Sequence, residues 1–104
     1  MNIEEFKARL KGYKREDIIV TEHADLRADF RKIDLEEVKN NIVNPERLVF
    51  IKEVKSKFLN ERKFECYFAY SENFCHKYVL TINRKVIIVT IIIINRKWQK
   101  FIKK

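Results

Sequence analysis

The chain has 104 residues, 46% of them hydrophobic, and 23 Lys/Arg against 15 Asp/Glu give a net charge of +8. That length suits one domain with one core; no apolar run reaches the roughly 18 residues of a membrane span, and the opening MNIEEFKARL has no signal-peptide core, so a cytoplasmic protein is expected. One glycine, two cysteines outside any CxxC, and no HExxH or GxSxG argue against a phosphate-binding loop, a zinc cluster and the common hydrolases.

Ile3, Phe6, Leu10 and Tyr13 recur at helical spacing after an Asn2 cap, with Glu4 and Glu5 in the first turn and Gly12 near the stop. Asp17 to Thr21 is a short extended piece. Thr21 caps a helix over about residues 22–32. Asp34, with Glu37 three residues on, opens a further helix through Leu35, Val38 and Ile42 that Asn44-Pro45 ends.

After Pro45 the period moves toward two. Arg47–Val54 reads as a strand. Arg62–Tyr70 and His76–Ile82 follow as strands around a Ser71-Glu72-Asn73 turn. Asn83-Arg84-Lys85 then leads into Val86–Ile94, apolar on both faces and so placed centrally in a sheet. Arg96–Lys104 returns to helical spacing at Trp98, Phe101 and Ile102. Helices first and consecutive strands after predict an α+β domain over 1–104: N-terminal helices on an antiparallel sheet of about four strands, with a short C-terminal helix. Cys66 and Cys75 are expected as reduced thiols within that sheet.

The charge is segregated. Residues 1–53 carry 11 Lys/Arg and 12 Asp/Glu, whereas residues 54–104 carry 12 and 3. A half-domain so basic suits a polyanionic partner. Gatekeeping explains Arg84, Lys85, Arg96 and Lys97 beside the Val86–Ile94 run, but not the scarcity of acids.

The most informative stretch is His23–Val38, HADLRADFRKIDLEEV. His23, Arg27 and Arg31 stand at i, i+4 and i+8, within one quarter of a helix circumference. Leu26, Phe30 and Ile33 fill the neighbouring arc and are expected to face the core, leaving the His/Arg row in solvent. Arginines suit phosphate and a histidine suits proton transfer. The plain alternative is a solvated helix flank with the Arg31 stem over apolar surface. Asp25 and Asp29 lie one turn apart without a third acid and read as such a flank rather than a metal site.

The pattern H-A-x-x-R-x-x-x-R-x-I-x-x-x-x-V, carried here by His23, Ala24, Arg27, Arg31, Ile33 and Val38, resembles a poorly characterised branch of the RelE/BrnT-like superfamily of small toxin ribonucleases. The likeness spans roughly residues 18–94, including Asn44-Pro45 and the Ile88-Val89-Thr90 strand, and is specific only over 23–38. The dense C-terminal Arg/Lys/Tyr set of well-studied RelE toxins is missing, with Arg96, Lys97, Trp98 and Lys100 a partial substitute. The resemblance implies an α+β fold, RNA as substrate, free or on the ribosome, and an acidic antitoxin as partner.

A metal-free ribonuclease needs a base for the 2′-hydroxyl, an acid for the leaving 5′-oxygen and cations for the charge on phosphorus. His23 is the acid/base candidate, with Arg27 and Arg31 as the phosphate clamp. Arg62, Arg84, Arg96 and Lys97 would track the RNA backbone, and Trp98 or Tyr67 would stack on an unpaired base. Tyr78 is assigned to the core beside Leu80 and Ile82. His76 is expected in an exposed loop. No cofactor and no metal are required. Competing readings are a module that binds nucleic acid without cleaving it, and a protein-interaction domain or homodimer.

Overall fold

The computed structural model describes residues 1–57, 60–69 and 74–95. Within them, helices Ile3–Lys11 (α1), Glu22–Phe30 (α2) and Leu35–Val43 (α3) cover one face of a sheet. Its strands are Ile18–Val20 (β1), Leu48–Val54 (β2), Arg62–Ala69 (β3), Phe74–Ile82 (β4) and Val86–Asn95 (β5), in the order β1-β5-β4-β3-β2. The fold is α+β, as expected, but the sheet has five strands and is mixed. The short extended piece before Thr21 pairs parallel to β5, Ile18 with Val86 and Val20 with Ile88, while the other pairings are antiparallel. Three residues carry too little alternation to declare a strand; their partner, 68 positions away, makes them one. The expected C-terminal helix lies outside the described residues. No helix among them is long and apolar enough to cross a membrane.

Local chemistry starts each helix. Asn2 accepts from the Glu5 amide while the Glu5 carboxylate accepts from the Asn2 amide, a reciprocal capping box. Asp34 accepts from the Glu36 amide at 2.9 Å. Thr21 does more than cap: its hydroxyl accepts from the Ala24 amide, and both its N–H and its hydroxyl donate to the Ile88 carbonyl, at 3.2 and 3.0 Å, with Val89 O also in reach at 3.2 Å. The start of α2 is thereby fixed to the middle of β5.

Register sorts the sheet. Phe64, Cys66 and Phe68 on β3, Tyr78, Leu80 and Ile82 on β4, and Val86, Ile88 and Ile91 on β5 face the helices. There they form one core with Phe6, Leu10, Ala24, Ala28, Val38 and Ile42. A bulge at Val89, where Leu80 pairs with Ile88 but Val79 with Thr90, lets Ile88 and Ile91 share that face despite their odd spacing. The Phe6 and Phe64 rings sit 4.6 Å apart. Cys66 and Cys75 are buried in the sheet, and burial pushes the Cys66 thiol far above its usual range.

Helix α2 is rotated from its expected orientation. Leu26 and Phe30 are 63% and 79% exposed, and the sheet side of the helix is Ala24 and Ala28 instead. The reason is distance. A helix whose N-cap is tied to a β5 carbonyl lies too close to the strand for Leu or Phe, and only methyl side chains fit beneath it. Ile33 is buried as expected, but beyond the helix end. There Lys32 takes a left-handed conformation (φ 56°), its N–H bonding Asp29 O at 3.1 Å while the Ile33 N–H reaches back to Ala28 O at 2.8 Å. This is a Schellman turn closed by the Ala28–Ile33 contact.

Two consequences are measurable by denaturant unfolding. Ala28→Leu should destabilise by about 1–3 kcal/mol through overpacking, whereas Phe30→Ser should stay within about 0.5 kcal/mol; the reverse order would turn the helix back to the expected face. Lys32→Gly, which relieves a left-handed lysine, should add roughly 0.5–1 kcal/mol.

Candidate functional site

A four-residue step on an α-helix advances the side chain by about 40°. The row His23, Arg27, Arg31 therefore winds around α2 toward the sheet as it climbs. His23 and Arg27 are exposed; Arg31 is half-buried. Ala24, Ala28 and Arg31 share the inward i, i+4, i+7 stripe, so the last arginine of the row stands where a core residue would. Its Nε is shielded from solvent and has no hydrogen-bond partner among the described residues. A buried donor left unmade costs about 1–3 kcal/mol, so such a group calls for an explanation in function or in a missing ligand.

Arg31 opens onto a cleft of about 170 Å³ between the α2–α3 turn and the far end of β4 and β5. Ile33 and Glu37 line it from the helix side, and His76 and Ile93, cross-strand neighbours, line it from the sheet. Lys32 and Asp34 complete the rim.

His76 is not the exposed loop residue expected from its place after a turn. It is 2% exposed, on the helix-facing side of β4. Its parity was the available signal, since it alternates with Tyr78, Leu80 and Ile82. Its Nδ1 lies 2.9 Å from the Tyr78 hydroxyl, which accepts from the Asn41 side-chain amide at 3.0 Å. This Asn41–Tyr78–His76 chain crosses from α3 to the cleft. Burial, and then the positive charge of Arg47, push the His76 pKa down to about 4, so the ring is neutral at pH 7. Tyr78 is in the core, as expected.

The other expected contacts are scattered. Arg62 is held by Glu53 through two hydrogen bonds of 2.9 and 2.8 Å, which keep the Glu53 carboxyl below its usual range. Arg62 and Arg84 sit at the Ile82–Val86 end of the sheet. His76 is six residues away along β4, about 20 Å at ~3.3 Å per residue. Tyr67 packs on the opposite face, between Phe50 and the Lys77 ammonium. Arg96, Lys97 and Trp98 lie outside the described residues. The structure thus brings Arg31 and His76 to one cleft, leaves His23 and Arg27 exposed on α2, and separates Arg62 and Arg84 from His76. Sequence reasoning used Glu37 and Arg47 only to mark where a helix and a strand begin, and passed over Asn41. Asp25 and Asp29 are exposed, and among the described residues no three His, Cys, Asp or Glu side chains converge as a metal site would require.

The lowered His76 pKa has a signed consequence. Between about pH 4 and 6.5 the unfolded chain, whose histidine titrates near 6.5, binds a proton that the folded chain does not. Stability from this group is full above pH 6.5 and falls as pH drops through the window, by on the order of 3 kcal/mol. Unfolding free energies measured from pH 7 to 4 should show that decline, and His76→Gln should flatten it. The chain matches no protein-family model, no curated protein and no solved structure.

Proposed function

We propose that the protein binds RNA along the open flank of α2 and cleaves it as a metal-free endoribonuclease of the toxin type, the class that its His23–Val38 stretch resembles. The supporting observation is the His23–Arg27–Arg31 row. One capped helix, tied at its start to β5, presents a proton-transfer group and two guanidinium groups in succession. His23 takes the proton of a 2′-hydroxyl, and the 2′-oxygen attacks phosphorus. Arg27 and the outer nitrogens of Arg31 hold the phosphoryl oxygens as negative charge builds. The 5′-oxygen leaves with a proton from solvent, and a 2′,3′-cyclic phosphate remains.

Leu26 and Phe30, large and exposed on the outer side of the same helix, favour a second occupant. An acidic, amphipathic antitoxin segment would cover them while its carboxylates meet Arg27.

End-labelled single-stranded RNA incubated in EDTA tests the reading. Wild type should yield 2′,3′-cyclic ends, and His23→Ala or Arg27→Ala/Arg31→Ala should lower the rate by about 10²-fold or more. RNA retained in a salt-dependent complex but left intact would reduce the protein to a binding module. Cleavage undiminished in His23→Ala would remove His23 from the chemistry.

A further inference from the structure

The cleft beside Arg31 does not look like a second phosphate site. Arg31 and Lys32 are balanced by Asp34 and Glu37, and His76 is neutral, so the walls carry no net charge at pH 7. A phosphate would gain nothing from approaching Glu37. What the cleft offers is an acceptor and a donor between two apolar walls: the half-buried Glu37, the half-buried Arg31, and the Ile33 and Ile93 side chains. Arg31 and Glu37 line the same cleft, yet none of the ion pairs among the described residues joins them. Asp34, by contrast, is already committed to the Glu36 amide. Two opposite charges, half-buried and in no ion pair among the described residues, suit a ligand that bridges them.

We infer that this cleft is a subsite for a single unpaired guanine base, set between Ile33 and Ile93 with Glu37 and Arg31 reading its edges. The inference rests on the RNA reading above for the source of the base. Guanine is the nucleobase that carries two adjacent donors, N1–H and the 2-amino group, which one carboxylate accepts together. Its O6 and N7 are the acceptors that arginine contacts most often. Adenine and cytosine offer a carboxylate only one amino group, and uracil a single N–H. A volume of about 170 Å³ is below the 300 Å³ or more of a drug-sized pocket and suits one planar ring system. Arg31 can serve both places at once, since a guanidinium carries five N–H donors in a planar fork. The Asn41–Tyr78–His76 chain holds the floor of the cleft in one arrangement.

The test needs no cleavage. The intact protein is titrated with each of the four nucleoside 5′-monophosphates while its amide resonances are recorded. GMP should shift Ile33, His76 and Ile93 and bind about tenfold or more tighter than AMP, CMP or UMP, the discrimination of one bidentate pair. Glu37→Gln, which keeps the shape and loses half the acceptor, should abolish that preference without moving the unfolding midpoint. Equal binding of all four nucleotides, shifts confined to α2, no binding at all, or an unaltered preference in Glu37→Gln each overturns the subsite. Selective GMP binding in a protein that leaves RNA intact would retain the subsite and discard the nuclease. RNA cleavage without any guanine preference, the cleft amides unmoved, would do the opposite.

Discussion

The attachment of Thr21 to β5 governs the rest of the molecule. One residue follows β1, caps α2 and donates twice to the Ile88 carbonyl. It thereby sets how near α2 lies to the sheet. Nearness dictates alanine at positions 24 and 28, alanine dictates the rotation of the helix, and the rotation decides which side chains of the His23–Arg31 row face water. Had α2 stood a few ångströms further out, Leu26 and Phe30 could have filled the gap, and Arg31 would have turned away from His76. The bulge at Val89 belongs to the same arrangement, because it brings Val89 O within reach of the Thr21 hydroxyl and keeps Ile91 on the core side.

Much of the scaffold was legible in the residues, because caps and alternation are local. Asn2, Thr21 and Asp34 stand where their amide, hydroxyl and carboxylate oxygens can accept from backbone amides two or three positions on. The strands after Pro45 show their faces through alternation. Three things were not legible, each for a reason of distance along the chain. β1 exists through pairing with residues 86–88. The orientation of α2 follows from separation, whereas apolar patterning weighs side-chain size; by size Leu26 and Phe30 outrank two alanines. His76 lies next to a turn in sequence, but its hydroxyl partner is held by Asn41, 37 residues before Tyr78. The row at 23, 27 and 31 was readable as a row, while its inward turn was hidden in the Ala24–Ala28–Arg31 stripe.

Folding also redistributes the charge that the sequence segregates. Arg62 and Lys85, both in the basic half, are matched by Glu53 and Asp17 from the other half. Lys77 meets Glu65 on the open face of the sheet. These pairs are surface or half-buried contacts and contribute modestly to stability. Their larger effect is to withdraw cations at the Ile82–Val86 end from any polyanion. Arg27 and Arg31, on the α2 side, are in none of these ion pairs.

The tie between Thr21 and Ile88 has a temporal side as well. The two residues are 67 positions apart, so during synthesis α2 leaves the ribosome long before the strand it needs. Until β5 is made and paired, Ala24 and Ala28 have nothing to rest on and the floor beneath Arg31 lacks Ile93. The cleft is therefore among the last features of the domain to form, behind a long-range closure of the kind that slows folding. A nascent chain can hold every residue of the row and still have no site.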